Sequence, residues 1–170
     1  MKIKVFNEEE IQHFKTEEKH IVISIQDPNY DFVKLPEQVS RLAWLGFHFY
    51  DLDKDTEVFP YSRFVFNNEQ TKEILKFVED WKDSVDLICV NCCAGISRSA
   101  GVAAALSKIL NGDDTYYFKH YLPNMLVYRK ILTEYYGKDI AEYGNGNQRV
   151  SQAPAEKHVS SILTPATNLV

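Results

Sequence analysis

The chain has 170 residues, 45% of them hydrophobic and 25% charged, and its formal net charge is -5. This composition is typical of one globular domain, which we expect over residues 1–143, followed by a flexible tail over residues 144–170 where hydrophobic periodicity is lost. The negative net charge predicts that neither nucleic acid nor an anionic membrane is a partner. No apolar run reaches the roughly 20 residues of a membrane span. We therefore expect a cytoplasmic protein.

The first half of the chain predicts short strands that alternate with helices, a pattern typical of an α/β fold. The predicted strands are KIKVF, HIVISIQ and WLGFHFYDL. Asn7 is the predicted cap of the helix after the first strand, and a further short helix is predicted to begin near Pro36. Asp27-Pro28-Asn29 is predicted to form a turn, and Asp53 to Phe66 a surface loop.

The second half begins with a predicted amphipathic helix, EQTKEILKFVEDW, capped by Asn67 or Asn68. DLICVN follows as a strand that is apolar without alternation, as expected at the centre of a sheet covered on both faces. A helix ending at Gly112 comes next, and two more helices are predicted over DDTYYFKHY and PNMLVYRKILTEYY. Together these elements predict a central, mainly parallel sheet flanked by helices.

All three cysteines lie in the stretch ICVNCCAGISRSAGVAAAL, at the end of the predicted central strand. An odd number of cysteines, two of them adjacent, argues against a disulfide framework. Cys89 and Cys92 form a CxxC pair, but no second pair accompanies them, so we predict no metal site. Cys89 is expected in the core, and Cys93 is expected either to fill space in the loop or to act as a resolving thiol on oxidation.

The segment from Cys92 to Ser99 predicts an anion-binding site. Backbone amides of a tight loop and of the first helical turn point at one spot, where the helix dipole adds partial positive charge. Arg98 adds a planar fork of donors that matches two phosphate oxygens. This positive field favours the thiolate of Cys92, a nucleophile to which Ser99 can hydrogen-bond. The predicted phosphate-binding residues are Cys93, Ala94, Gly95, Ile96, Ser97 and Arg98.

The sequence CCAGISRS, from Cys92 to Ser99, resembles the signature loop of the cysteine-dependent protein tyrosine and dual-specificity phosphatases: a cysteine, five residues, an arginine, then serine or threonine. ISIQDP, FHFYDLD and YLPNMLVYRKIL are similar to segments of small bacterial and phage members, so the resemblance covers about residues 20–135. It implies the α/β fold called (phosphotyrosine protein) phosphatase II-like. It also implies hydrolysis of phosphomonoesters through a phosphocysteine, with no metal and no cofactor, and inhibition by oxyanions such as phosphate or vanadate.

The resemblance further implies a general acid aspartate on a loop upstream of the nucleophile. Asp51 matches that position best, because it follows an aromatic strand end and precedes an aliphatic residue, while Asp53 and Asp55 remain alternatives. Asn91 stands where the family usually has histidine, so it can hydrogen-bond to the backbone without carrying charge. Asn124 resembles an asparagine that supports the active site in relatives, and a helix cap explains it equally well.

The predicted substrate is a protein phosphorylated on tyrosine or on serine and threonine, or else a small phosphoester. No lysine lies inside the loop, which argues against inositol polyphosphates. The alternative function is a phosphate- or phosphoprotein-binding module with weak or no turnover, which the asparagine at position 91 and the unassigned acid favour. An arsenate reductase is disfavoured, because its corresponding loop follows the first strand, whereas here the loop follows several elements.

Overall fold

The periodic patterns of the sequence form four strands and five α-helices in the computed structural model, which describes residues 1–55, 57, 59 and 61–137. The strands are β1 (Lys2–Phe6), β2 (His20–Gln26), β3 (Arg41–His48) and β4 (Leu87–Asn91). The helices are α1 (Glu8–His13), α2 (Asn68–Trp81), α3 (Arg98–Asn111), α4 (Thr115–His120) and α5 (Met125–Tyr136), and a 3-10 turn covers Tyr61–Phe64.

The four strands form one parallel sheet in the order β1-β4-β2-β3. β4 therefore lies between β1 and β2, and Asn91 at its end is in register with Phe6 on one side and Ser24 on the other. Because parallel strands run in the same direction, their carboxyl ends meet at one edge of the sheet, where ligand sites of α/β folds form. The predicted central parallel sheet flanked by helices is confirmed.

The two faces of the sheet pack against different parts of the chain. Ile23 and Val90 lie on the larger face, which packs against apolar residues of α2, α3 and α5. Val22 and Cys89 lie on the smaller face, in one apolar cluster with Ile11 of α1. Each buried apolar side chain contributes about 1.5–3 kcal/mol, so β2 and β4, in which every residue is buried, are the most strongly held strands of the sheet.

Helix ends follow the chemistry that the sequence predicts. The Asn7 side chain accepts a hydrogen bond from Glu10 N, and the Glu10 side chain accepts one from Asn7 N, which completes a capping box at α1. Asn67, rather than Asn68, caps α2 in the same way. Gly112 ends α3 with φ 76, the left-handed conformation that glycine adopts without steric cost.

Two local predictions are wrong. No helix begins near Pro36. The Gln38 side-chain amide donates to Phe14 O and Ser40 Oγ donates to Thr16 O, so contacts with the preceding loop hold this segment in an irregular conformation, with a turn at residues 39–40, until β3 begins at Arg41. The predicted surface loop that ends at Phe66 is not entirely superficial, because Val65 and Phe66 are buried in the core.

The predicted domain end at residue 143 and the tail over residues 144–170 lie outside the described residues. Among the helices that the structure describes, none combines the length and the apolar character needed to cross a bilayer.

Candidate active site

The loop from Cys92 to Ser97 connects β4 to α3 at the carboxyl edge of the sheet. Gly95 has φ 66, and a Cβ there would stand 2.6 Å from Asn7 N and 2.8 Å from the carbonyl carbon of Phe6. Glu8 N donates to the Cys93 carbonyl over 3.3 Å. The junction between β1 and α1 therefore braces the loop, and only glycine fits at position 95 without displacing backbone.

Cys92 is 2% exposed, and its Sγ lies 3.0 Å from the Oγ of the fully buried Ser99. Ser99 occupies the first turn of α3, as the sequence predicts. A hydroxyl in this position can donate to a thiolate, and it would stabilise that thiolate again when sulfur becomes the leaving group.

Arg98 begins α3 and is 5% exposed. Its Nη1 donates to Asp27 Oδ1 over 2.7 Å and to the Phe49 carbonyl over 2.8 Å. Its buried Nε has no hydrogen-bond partner within the part of the chain that the structure describes. One terminal nitrogen thus fixes the guanidinium in place, while the Nε donor is not used by the described part of the chain.

Asp27, for which the sequence predicts only a turn, contacts Arg98 at the loop. It directly follows β2, the sheet neighbour of β4, and its side chain is 36% exposed. The signal for this contact is position: an acidic residue at the carboxyl end of a strand next to β4 meets the loop at the same sheet edge.

Asp51 lies against the loop. Its Oδ1 accepts from Ser97 Oγ and from Asn124 Nδ2, each over 2.7 Å. Asn124 is 1% exposed, donates also to the Leu52 carbonyl, and accepts from Val127 N over 2.9 Å as the cap of α5. The two accounts of Asn124 from the sequence therefore describe one side chain, whose amide nitrogen supports Asp51 while its oxygen caps the helix.

The other two acid candidates lie elsewhere. Asp55 forms an ion pair with Lys130 over 3.2 Å. Asp53 is exposed, and it makes no hydrogen bond or ion pair with the residues that the structure describes. Asp51 is thus the member of the three that contacts the loop.

The three cysteines occupy different environments. Burial raises the pKa of Cys89 to about 12, so this thiol stays protonated in the core, as expected from the sequence. Partial burial, followed by the carboxylates of Glu8 and Asp27, raises the pKa of the exposed Cys93. Cys89 and Cys92 belong to clusters on opposite faces of the sheet, so the CxxC pair does not converge on a metal. Among the described residues, no group of three or more metal-ligating side chains comes together.

The remaining loop residues line the approach to the site. Cys93, Ala94 and Ile96 are exposed, with Ile96 at 47%. An open depression of about 440 Å³ lies beside Cys93 and Ala94, and α1 forms its other wall through Glu8, Glu9, Gln12 and His13. The loop is therefore accessible from solvent although Cys92 and Arg98 are buried.

A scan of protein-family models gave no match, and a search of curated proteins gave none either. Solved structures do match. The human tyrosine phosphatase-like serine/threonine/tyrosine-interacting protein aligns with a TM-score of 0.55 and 17% identity, over 79% of this chain and 91% of the human chain. This likeness shows the fold, and it confirms the fold expected from the sequence.

Two weaker likenesses are to phosphatases by name. Tk-PTP in its active form aligns with a TM-score of 0.47 and 16% identity, over 78% of this chain and 88% of the other. A tyrosine phosphatase of the Orf virus aligns with a TM-score of 0.45 and 13% identity, over 78% and 82%. Both TM-scores lie below 0.5, so neither of these two likenesses is used to assign the fold.

Proposed function

We propose that this chain, which has the fold of a tyrosine-phosphatase-like protein, hydrolyses phosphomonoesters through a phosphocysteine at Cys92. The observation that carries the proposal is the Arg98 guanidinium: it is buried at the loop, fixed by Asp27, and retains a buried Nε edge for an oxyanion. It stands six positions from a cysteine whose sulfur already has a hydroxyl partner 3.0 Å away. A module that only binds phosphate needs the arginine and not the thiol.

In the first step the Cys92 thiolate attacks phosphorus. The bond from phosphorus to the leaving oxygen breaks, its electron pair moves to that oxygen, and Asp51 supplies the proton that neutralises it. The loop amides and Arg98 hold the other three oxygens, where charge accumulates. Asp51 Oδ1 is engaged by Ser97 and Asn124, so Oδ2 is the oxygen that carries this proton.

In the second step water attacks the phosphocysteine. The phosphorus–sulfur bond breaks with its electron pair on Sγ, Ser99 donates a hydrogen bond to the new thiolate, and Asp51 takes the proton from water. The balance is phosphomonoester plus water to alcohol plus inorganic phosphate. No metal and no cofactor enters either step.

We infer a phosphorylated protein as the substrate, at tyrosine or at serine and threonine, in a cytoplasmic setting. The loop presents small and apolar side chains, Cys93, Ala94 and Ile96, and no lysine that would select a polyanion. Phosphate and vanadate are expected to compete for the same amides and for Arg98.

The test is hydrolysis of p-nitrophenyl phosphate with a chelator present, by the wild type, Cys92→Ser, Asp51→Asn and Asp53→Asn. Turnover that is lost in Cys92→Ser and reduced in Asp51→Asn, but not in Asp53→Asn, supports the mechanism. Wild-type protein that binds vanadate without any turnover would instead support the non-catalytic phosphate-binding module.

A further inference from the structure

A chain of hydrogen bonds on the smaller face of the sheet ends at the residue before Cys92. Trp44 Nε1 donates to Ser24 Oγ over 2.9 Å, and Ser24 Oγ donates to Asn91 Oδ1 over 2.7 Å. These residues lie on β3, β2 and β4, so the chain crosses three neighbouring strands. Ser24 and Asn91 are 1% and 2% exposed, on the face of the sheet where Val22 and Cys89 are also buried.

Both hydrogen bonds of this chain run from Trp44 toward Asn91. An indole N–H only donates, so Ser24 Oγ accepts from Trp44. The single hydrogen of Ser24 then goes to the Asn91 amide oxygen, which lies 2.7 Å away. The amide oxygen of Asn91 then faces Ser24, and its NH₂ group is turned away from Ser24. Without the indole, the serine hydroxyl has no such constraint on its rotation.

The indole is held for this contact by its neighbours rather than by deep burial, since Trp44 is 44% exposed. A Cβ at Gly46 would lie 2.7 Å from Trp44 Cζ2 and 2.7 Å from Phe32 Cζ, so the rings occupy the space above a glycine in the strand. Phe32 meets the indole edge-on, with ring centroids 5.2 Å apart. An exposed indole can donate to water, so donation to a buried hydroxyl is a specific arrangement.

We propose that Trp44 and Ser24 are positioning residues that act on Cys92 through Asn91, an inference that rests on the proposed function. Asn91 is the last residue of β4, and its orientation sets the strand end from which the Cys92 side chain projects. A nucleophile must be held within a fraction of an ångström of its attack position. The chain Trp44–Ser24–Asn91 does this with neutral groups, at a position where the resembled family usually has histidine.

The test is a double-mutant cycle with Ser24→Ala, Trp44→Phe and the double variant. Two readouts are used: kcat/KM for p-nitrophenyl phosphate, and the rate at which iodoacetate carboxymethylates Cys92. The modified cysteine is identified by peptide mass spectrometry, because Cys93 is exposed and can react as well. Ser24→Ala is expected to lower both by about 5- to 20-fold and Trp44→Phe by about threefold. Because Trp44 acts only through Ser24, the double variant is expected to equal Ser24→Ala.

Matched controls separate positioning from loss of stability. Ser107→Ala deletes another buried hydroxyl, which donates to the Asp113 carbonyl, and Trp81→Phe is the same change as Trp44→Phe at the end of α2. Both are expected to lower the melting temperature without changing either readout. Gly46→Ala displaces the indole and is expected to reproduce Trp44→Phe.

Additive losses in the double variant, or unchanged readouts in Ser24→Ala, would overturn the positioning role. Failure of the proposed function is recognised separately, as wild-type protein without turnover. Carboxymethylation of Cys92 still decides the positioning role in that case, because it requires no phosphate hydrolysis.

Discussion

Asp27→Ala removes the carboxylate that holds Arg98, and it provides a quantitative test of the site. Arg98 Nη1 has two N–H donors: one keeps the Phe49 carbonyl at 2.8 Å, and the other loses its 2.7 Å partner. Because the Asp27 side chain is 36% exposed, water can reach the vacated position and accept from that N–H. The expected effect is therefore on the orientation of the guanidinium rather than on folding. Its consequence is a lower kcat/KM.

The magnitude follows from the exposure of the pair. A hydrogen bond to a charged partner contributes about 1.5–3 kcal/mol when it is buried. Arg98 is nearly buried, but the Asp27 side chain is 36% exposed, so solvent screening reduces the contribution to about 1–2 kcal/mol. Since about 1.4 kcal/mol is a factor of ten, kcat/KM is expected to fall about 5- to 30-fold.

A competing effect has the opposite sign, because removal of a carboxylate also removes its repulsion of a phosphate dianion. Asp27→Asn separates the two, since it removes the charge and keeps an oxygen that accepts from Arg98. We expect Asp27→Asn to remain within about threefold of the wild type. Asp80→Ala, which removes an exposed carboxylate paired with Lys76 on α2, is the charge-matched control and is expected to have no effect.

The assay is kcat/KM for p-nitrophenyl phosphate together with the inhibition constant of vanadate. Weaker vanadate inhibition in Asp27→Ala, in proportion to the loss of kcat/KM, supports the positioning of Arg98. An Asp27→Ala protein with equal or higher kcat/KM and tighter vanadate inhibition would refute it, because charge repulsion would then outweigh orientation.

Three further predictions follow from individual environments. Gly95→Ala places a Cβ 2.6 Å from a backbone nitrogen and is expected to lower kcat/KM more than tenfold. The control is Gly112→Ala, which is also at positive φ but has nothing within 4 Å of the new Cβ. It is expected to lower the free energy of unfolding in urea by about 1 kcal/mol and to leave kcat/KM unchanged. Burial raises the pKa of the Cys89 thiol from 9.0 to about 12, so its contribution to stability is complete below pH 9 and is lost as pH rises toward 12. The free energy of unfolding of the wild type, measured in urea, is therefore expected to fall by on the order of 2–3 kcal/mol between pH 8 and 11 relative to that of Cys89→Ala. Equal pH dependence of the two free energies would contradict this prediction. Asp51→Asn is expected to slow phenyl phosphate hydrolysis far more than that of p-nitrophenyl phosphate, because the poorer leaving group needs the proton, and equal losses would exclude Asp51 as the acid.

The sequence by itself determined the loop and the residues that form it, because those residues are neighbours in the chain. A buried strand, a cysteine, a glycine and an arginine at a helix start are local features, and Cys92, Gly95 and Ser99 lie as their spacing predicts. Helix caps such as Asn7 were equally predictable, since capping depends on residues within one turn. The helix expected near Pro36 does not form, because this segment makes hydrogen bonds with the preceding loop that its local helix propensity does not reveal.

Only the tertiary structure shows which side chains distant in sequence contact the loop and Arg98. Asp27 reaches Arg98, and Asp51 rather than Asp53 or Asp55 reaches Ser97. The sheet order places β2 directly beside β4, and strand pairing carries no signal in the spacing of the chain. Contacts between residues on different strands are set by register, which is fixed only when all the hydrophobic faces of the sheet pack together.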